Sequence, residues 1–354
     1  MVKTSDKKYL DTLSGLRGLA ALVVVITHAN FLEYLGSDAY FGSAAVMVFF
    51  TLSGFLMSYL YLTKTPTFKS LQLYAVSRFS RVAPMYLLVV VFSFIVFTFI
   101  DSTFPIKISP DNLLRHLLFS GSQSILWSIP PEVQYYGFFI LVWCAFYHYN
   151  KTKRVDAMLV ILMIITVFLL LKDNLPGIFF GSKILYFFLG SLVGLIRHKV
   201  EIKSEKGTGF SWVQGLVFVF ALVIYYVNLK VASNLEQSGV LMNDQYFHLT
   251  SNALVTALLI YVLSYDSKIS TFTFANPLLK GLGDSSLSLY LTHMITLYAF
   301  SLFFVINGIF SSFIAILVCM ALGHLIYLVI ERPLVDSTKL QLVSLLRLKR
   351  DSSK

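Results

Sequence analysis

The runs YLLVVVFSFIVFTFI (86–100) and AMLVILMIITVFLLL (157–171) contain no charged residue. A helix built from such a run has no side that favours water. Its backbone must satisfy its own hydrogen bonds, as it does inside a bilayer. Comparable stretches recur along the whole chain, and they read as ten spans at roughly 15–32, 41–62, 84–100, 130–148, 157–171, 178–196, 210–228, 247–264, 286–306 and 309–330. Composition agrees: only 13% of the 354 residues are charged, against about 25% in soluble domains. The expected fold is an all-α, polytopic membrane helical bundle embedded in the lipid bilayer of the cell's inner or plasma membrane.

The net charge of +10 invites a nucleic-acid reading, but the placement of the charges excludes it. Of the 28 Lys and Arg, 22 fall at one side of the membrane and 5 at the other, with Arg17 inside the first span. This is the positive-inside bias, and it sets both termini in the cytoplasm. The first apolar run is itself a span without a small-residue cleavage site, so no cleavable signal peptide is expected. Residues 1–331 form one transmembrane unit and 332–354 a short basic tail, with no internal repeat. Cys144 and Cys319 lie in spans and read as apolar filler, and nothing in the spacing of His, Cys and acids calls for a metal.

Against this apolar background a few polar residues stand out. Arg17 and His28 in the first span, SGLRGLAALVVVITH, are eleven positions apart, which puts them on one helical face about 16 Å apart along the axis. An intramembrane arginine costs roughly 2.5–3.5 kcal/mol to insert, which marks a site facing the bundle interior. The plainer alternative is that Arg17 snorkels to the headgroups and His28 caps the other end. Arg78 and Arg81 share a face at the cytoplasmic start of span 3. They read either as two topological anchors or as a fork for phosphates. Ser53 and Gly54 in span 2 allow close approach of a helix or a ligand.

In ILWSIPPEVQYYGFF, Pro130 and Pro131 begin a helix and Glu132 sits in its first turn. Trp127 and Tyr136 suit an interface, or they line a pocket with Glu132 at the depth of His28, where a carboxylate beside the imidazole would favour a general base. Polar Gln245, His248 and Asn252 begin span 8. Tyr290 and His293 share a face in span 9, with His293 about a third of the way in from the cytoplasm, as a ligand-facing pair or as a packed histidine. Glu331-Arg332-Pro333 reads as a helix stop.

Taken together and in order, these motifs resemble the acyltransferase-3 family of integral-membrane acyltransferases. The resemblance rests on LSGLRG followed by TH (Arg17, His28), FFTLSGF (49–55), the Arg-x-x-Arg pair with Pro84 and Tyr86, Trp127-Ser128 with Glu132 and Tyr136, YLTH (290–293) and ERP (331–333). It departs at Ser14, where the family often has Asp. Some members also carry an extracytoplasmic hydrolase-like domain after the last span. This chain ends too soon after its last span to hold one, so such an activity is expected from a separate protein.

The resemblance implies transfer of an acyl group, most simply acetyl, from cytoplasmic acetyl-CoA or another acyl-CoA to a carbohydrate hydroxyl on a polysaccharide or lipid-linked glycan. It implies Arg78, Arg81 and Arg17 at the donor, and His28 as general base with Glu132 assisting. Arg17 would also steady negative charge on the thioester oxygen. Trp127, Tyr136, Tyr290 and His293 would line the substrate path. Direct transfer and passage through an acyl-histidine both stay open. Two other classes also fit buried Arg and His: a transporter or flippase for an acyl or glycan substrate, and a scaffold subunit of a glycan-assembly complex.

Overall fold

The computed structural model describes residues 5–31, 33–35, 41–200, 208–237, 249–265 and 267–346. The described residues form helices and loops, without a strand. The helices are α1 (Ser5–His28), α2 (Phe41–Tyr61), α3 (Phe68–Ile95), α4 (Pro110–Leu117), α5 (Ile129–Thr152), α6 (Asp156–Leu171) and α7 (Ile184–Lys199). They continue with α8 (Thr208–Gln237), α9 (Thr250–Leu263), α10 (Lys268–Phe274), α11 (Pro277–Asp284), α12 (Ser286–Phe303), α13 (Ile309–Ile326) and α14 (Arg332–Leu345). Among the described residues, seven helical stretches are long and apolar enough to cross a membrane, or eight if the bent pair α9 and α10 is one span.

α2 lies at the centre, with 14 of its 21 residues buried. It packs against α7 through backbone rather than side chains. A Cβ at Gly190 would lie 2.1 Å from the Thr51 carbonyl oxygen, and one at Gly54 would lie 2.2 Å from that of Phe187. Gly190 and Gly194 are four residues apart on one face of α7, the small-xxx-small spacing that lets two membrane helices approach closely. Gly54 of the sequence pair thus serves helix packing. On the periphery α6 buries only Ile161 and Ile165. Met158, Ile164, Phe168 and Leu169 pack partly buried against the core, while Leu159, Leu162, Met163 and Leu170 are exposed, as lipid allows and water does not.

α1 packs along α10 and α11, two short helices that the sequence reading left inside a loop. Their signals are local: the Asn276 side chain caps Leu279 N at 2.9 Å just before Pro277, and Ser267 caps Ser270 N at 3.0 Å. Gly15 and Gly18 admit this contact, since a Cβ at either would strike the carbonyl oxygen of Phe274 or Leu279 at 1.7 or 2.2 Å. The glycines that flank Arg17 therefore bring the α10–α11 corner against one side of α1 and leave the arginine free to point elsewhere.

Two boundaries differ from the sequence reading. α3 begins at Phe68 and runs through Pro84 to a π-helical turn at Val96–Ile100, so Arg78 and Arg81 lie within one long helix. The expected stop at Glu331-Arg332-Pro333 is absent. The helix continues through a π-helical turn, Tyr327–Glu331, into α14. Pro333 falls in the first turn of α14, where its missing N–H leaves no bond broken. Glu331 turns back instead and accepts from the backbone N–H of Ser288 at 3.0 Å and from its hydroxyl. Gln245, His248 and residues 347–354 of the basic tail lie outside the described residues. Asn252 is buried and accepts from Asn228 Nδ2 at 2.6 Å.

Candidate active site

Arg17, Arg78 and Arg81 line one cavity bounded by α1, α2, α3, α5 and α12. Ser53, Ser128, Glu132, Tyr136 and Tyr290 share its walls. The lining thus holds three guanidinium groups and one carboxylate. That carboxylate is already engaged: Ser53 Oγ and Tyr136 Oη both donate to Glu132 Oε1, at 2.7 and 2.5 Å. Tyr136 lies one turn after Glu132 on α5, and its backbone oxygen accepts from Tyr74 Oη at 3.0 Å.

Among the described residues, Arg17 and Arg81 form no ion pair or hydrogen bond with a protein group. Arg78 makes only long contacts, 3.4 Å from Nη2 to Tyr61 Oη and to Ser77 Oγ, and its buried Nε has no partner there. Three guanidinium groups around one lining carboxylate leave an excess of positive charge, which is stable where water screens it or an anion neutralises it. The cavity is therefore suited to a multiply charged anion, and guanidinium forks suit phosphate oxygens.

The second part of the site lies beyond one turn of α12. Tyr290 reaches the cavity wall, where its hydroxyl accepts from Ser128 Oγ at 2.8 Å and donates to the Ile125 carbonyl at 3.0 Å. This ties α12 to the 3₁₀ turn Ser124–Ser128 that carries Trp127. Three residues on, His293 is fully buried and lies against His28 at the end of α1, with ring centroids 4.9 Å apart. His28 itself is exposed and does not line the arginine cavity.

The structure therefore brings Arg17, Arg78, Arg81, Glu132, Tyr136 and Tyr290 together, and separately joins His28 to His293. It does not join His28 to Glu132. Among the described residues the two share no hydrogen bond: Glu132 faces the arginine cavity, which His28 does not line. Nor does His293 lie at a different level from His28, as counting from the span ends implied. The two rings lie side by side, with centroids 4.9 Å apart.

Lys183 is a residue of this region that sequence reasoning passes over. It falls inside the expected span 178–196 and is fully buried, with Nζ 6.0 Å from the centre of the Trp127 ring. A lysine inside an apolar span is the signal that could have found it. The turn before it is held by Gln134, whose side chain donates to the Ile178 carbonyl at 3.2 Å and accepts from Phe180 N at 3.0 Å. On its other side Trp127 meets Phe50 edge-on, at 6.3 Å between centroids. Trp127 is thus fixed between a cation and an aromatic wall of the cavity.

Among the described residues no group of His, Cys, Asp and Glu could hold a metal ion. Residues 9–331 match a family model described as an acyltransferase domain. The peptidoglycan O-acetyltransferase OatA of Listeria monocytogenes is 38% identical over 89 residues, which cover 24% of this chain and 14% of that protein. A Staphylococcus aureus (strain COL) protein that carries an O-acetyltransferase name is 23% identical over 373 aligned positions, covering 94% of this chain and 58% of its own length. The chain thus spans little more than half of that longer relative. No solved structure matches the chain.

Proposed function

We infer the function of this chain from one premise: it belongs to the acyltransferase-3 family. It moves an acyl group, most simply acetyl, from acyl-CoA in the cytoplasm to a hydroxyl of an envelope carbohydrate. The observation that carries this reading is the convergence of Arg17, Arg78 and Arg81 on one cavity whose single carboxylate is held by Ser53 and Tyr136. Such a cavity fits the phosphate-bearing end of CoA, which supplies an activated thioester. The ten-span topology, with both termini cytoplasmic, goes with this reading. α5 and α6 complete the count: α5 has 24 residues, about 36 Å of helix, and α6 is short but wholly apolar after Asp156.

In this mechanism the arginines bind and orient the donor, and Trp127, Tyr136 and Tyr290 shape the path between the cavity and His28. His28 Nε2 takes the proton of the acceptor hydroxyl as the hydroxyl oxygen bonds to the acyl carbon. It returns that proton to sulfur as the carbon–sulfur bond breaks. Arg17, about 16 Å from His28 along the shared face of α1, joins Arg78 and Arg81 in binding the donor. Glu132 belongs with the donor cavity, where it fixes Tyr136 and Ser53 and balances one of the three positive charges.

The test is the O-acyl content of envelope glycans, by mass spectrometry, in cells lacking the gene and complemented at matched membrane levels. Wild type is expected to restore an acyl mass and His28→Ala to leave it absent. Restoration by both would remove His28 from the mechanism. Restoration by neither, together with glycan movement in CoA-free proteoliposomes, would establish the transporter class instead.

A further inference from the structure

We propose that His293 is a positioning residue for His28: it accepts the Nδ1 proton of that imidazole and so holds Nε2 as the basic atom that faces the acceptor. The proposal rests on the reading of His28 as general base. Its geometry starts at the backbone of α12. His293 Nδ1 lies 2.6 Å from the Tyr290 carbonyl oxygen. A carbonyl only accepts, so in the neutral ring Nδ1 carries the proton and Nε2 presents a lone pair; the network assigns this tautomer. That lone pair is 3.4 Å from His28 Nδ1. His28 Nδ1 in turn lies 2.9 Å from the Val24 carbonyl oxygen and must also carry its proton.

The Nδ1–H of His28 is thus shared by two acceptors, one on its own helix and one on α12. Val24 alone offers a single bond within one helix, which leaves the ring free to swing away from it and to exchange its tautomer. His293 supplies the second point, with its ring inclined 56° to that of His28. Two acceptors on different helices hold both the distance and the plane of the imidazole, and Nε2 then points away from the buried side. When His28 takes up a proton, the new positive charge is already met on its Nδ1 side, so no group needs to reorient.

His293 is built for this task. Its side chain is fully buried, with the Cys319 thiol of α13 3.9 Å from its own carbonyl oxygen. Around it Val25, Leu289, Leu297, Ala315 and Cys319 form an apolar cluster drawn from α1, α12 and α13. In hydrolase triads an aspartate holds the base. Here the nearest carboxylate of the site, Glu132, is held by other partners, and a neutral imidazole takes its place. In a membrane interior that choice avoids the desolvation cost of a second buried charge.

Three substitutions separate positioning from packing. In His293→Gln the amide oxygen can reach the place of Nε2; in His293→Asn it reaches only that of Nδ1; His293→Leu fills the space without an acceptor. The protein is reconstituted in nanodiscs with acetyl-CoA as donor and an envelope-polysaccharide extract as acceptor. The expected result is that His293→Gln keeps kcat within several-fold. Asn and Leu should lose about a hundredfold, the scale of a misplaced catalytic group, with KM for acetyl-CoA unchanged.

The second readout needs no turnover. The ¹⁵N resonances of His28 should report a well-populated Nδ1–H tautomer in wild type and His293→Gln, and a mixed signal in Asn and Leu. Equal loss in all three variants, or unchanged His28 resonances in all three, would overturn the proposal. A His28→Gln enzyme as active as wild type would instead sink the general-base reading, whatever His293 does.

Discussion

The hydroxyl of Tyr136 donates to Glu132 Oε1 at 2.5 Å, one turn back along α5, so the one carboxylate among the described residues that line the arginine cavity is fixed from its own helix. Ser53 donates to the same oxygen from α2. Glu132→Ala would strand both donors at a cost of about 1–3 kcal/mol each. Glu132→Gln keeps an acceptor in place and removes only the charge. The expected outcome is a clear fall in melting temperature for Ala and a near-normal one for Gln, by thermal unfolding in detergent. Both variants should lower transfer, since both change the charge that the donor cavity presents.

The arginine cavity should be read out directly by donor binding. Removing one charge-assisted contact costs about 1.5–3 kcal/mol, or roughly ten- to a hundredfold in Kd. Arg17→Ala, Arg78→Ala and Arg81→Ala are each expected to weaken CoA binding by that factor in isothermal titration, and added salt should weaken wild-type binding. Lysine at position 81 should recover only part of it, because a point charge does not reproduce a fork on phosphate.

The α2–α7 contact makes a prediction about stability alone. A methyl at Gly190 meets the Thr51 carbonyl oxygen at 2.1 Å, and backbone cannot yield as a flexible side chain does. Gly190→Ala should therefore force the helices apart at a cost of about 1–3 kcal/mol. Gly190→Leu should abolish a monodisperse peak in size-exclusion chromatography. Gly137→Ala, where a Cβ meets nothing within 4 Å, serves as the neutral control.

The loop that carries Trp127 and Ser128 has a built-in sensitivity to acid. His116 on α4 is buried, and burial pushes its imidazole below its ordinary 6.5, opposed by its bond to the Asn112 carbonyl. Its Nδ1 faces that carbonyl at 2.9 Å, and its Nε2 accepts from Gln123 N at 3.3 Å. The unfolded loop takes up the proton first. The contribution of His116 is thus complete above about pH 6.5 and is lost as pH falls from there through the lower folded value. Amide protection factors across residues 110–128, corrected for the intrinsic pH dependence of exchange, should fall on going from about pH 7.5 to about pH 5.5, and this fall should vanish in His116→Asn. An unchanged protection factor in wild type would contradict it.

Much of the fold was legible because lipid imposes one pattern. Apolar runs marked α2, α6, α12 and α13 almost to the residue, and Pro130-Pro131 marked the start of α5. What escaped were pieces too short to carry a period, α10 and α11, and the continuation of helix through Pro84 and Pro333. In the site, Arg17, Arg78, Arg81, Glu132, Tyr136 and Tyr290 could be singled out as polar residues against an apolar background. Their partners could not. Which acceptor takes the proton of Ser53, or which ring lies beside His28, depends on contacts between segments far apart in the chain, Ser53 with Glu132 and His28 with His293.

The most direct test of the account follows a labelled acetyl group. Purified protein is reconstituted in vesicles with [¹⁴C]acetyl-CoA on the side of the arginine cavity and envelope glycan on the side of His28. The account predicts that label appears on the glycan with wild type and stays on CoA with His28→Gln, while both proteins bind CoA equally. Equal transfer by His28→Gln, or glycan crossing the bilayer with the label left on CoA, would contradict it.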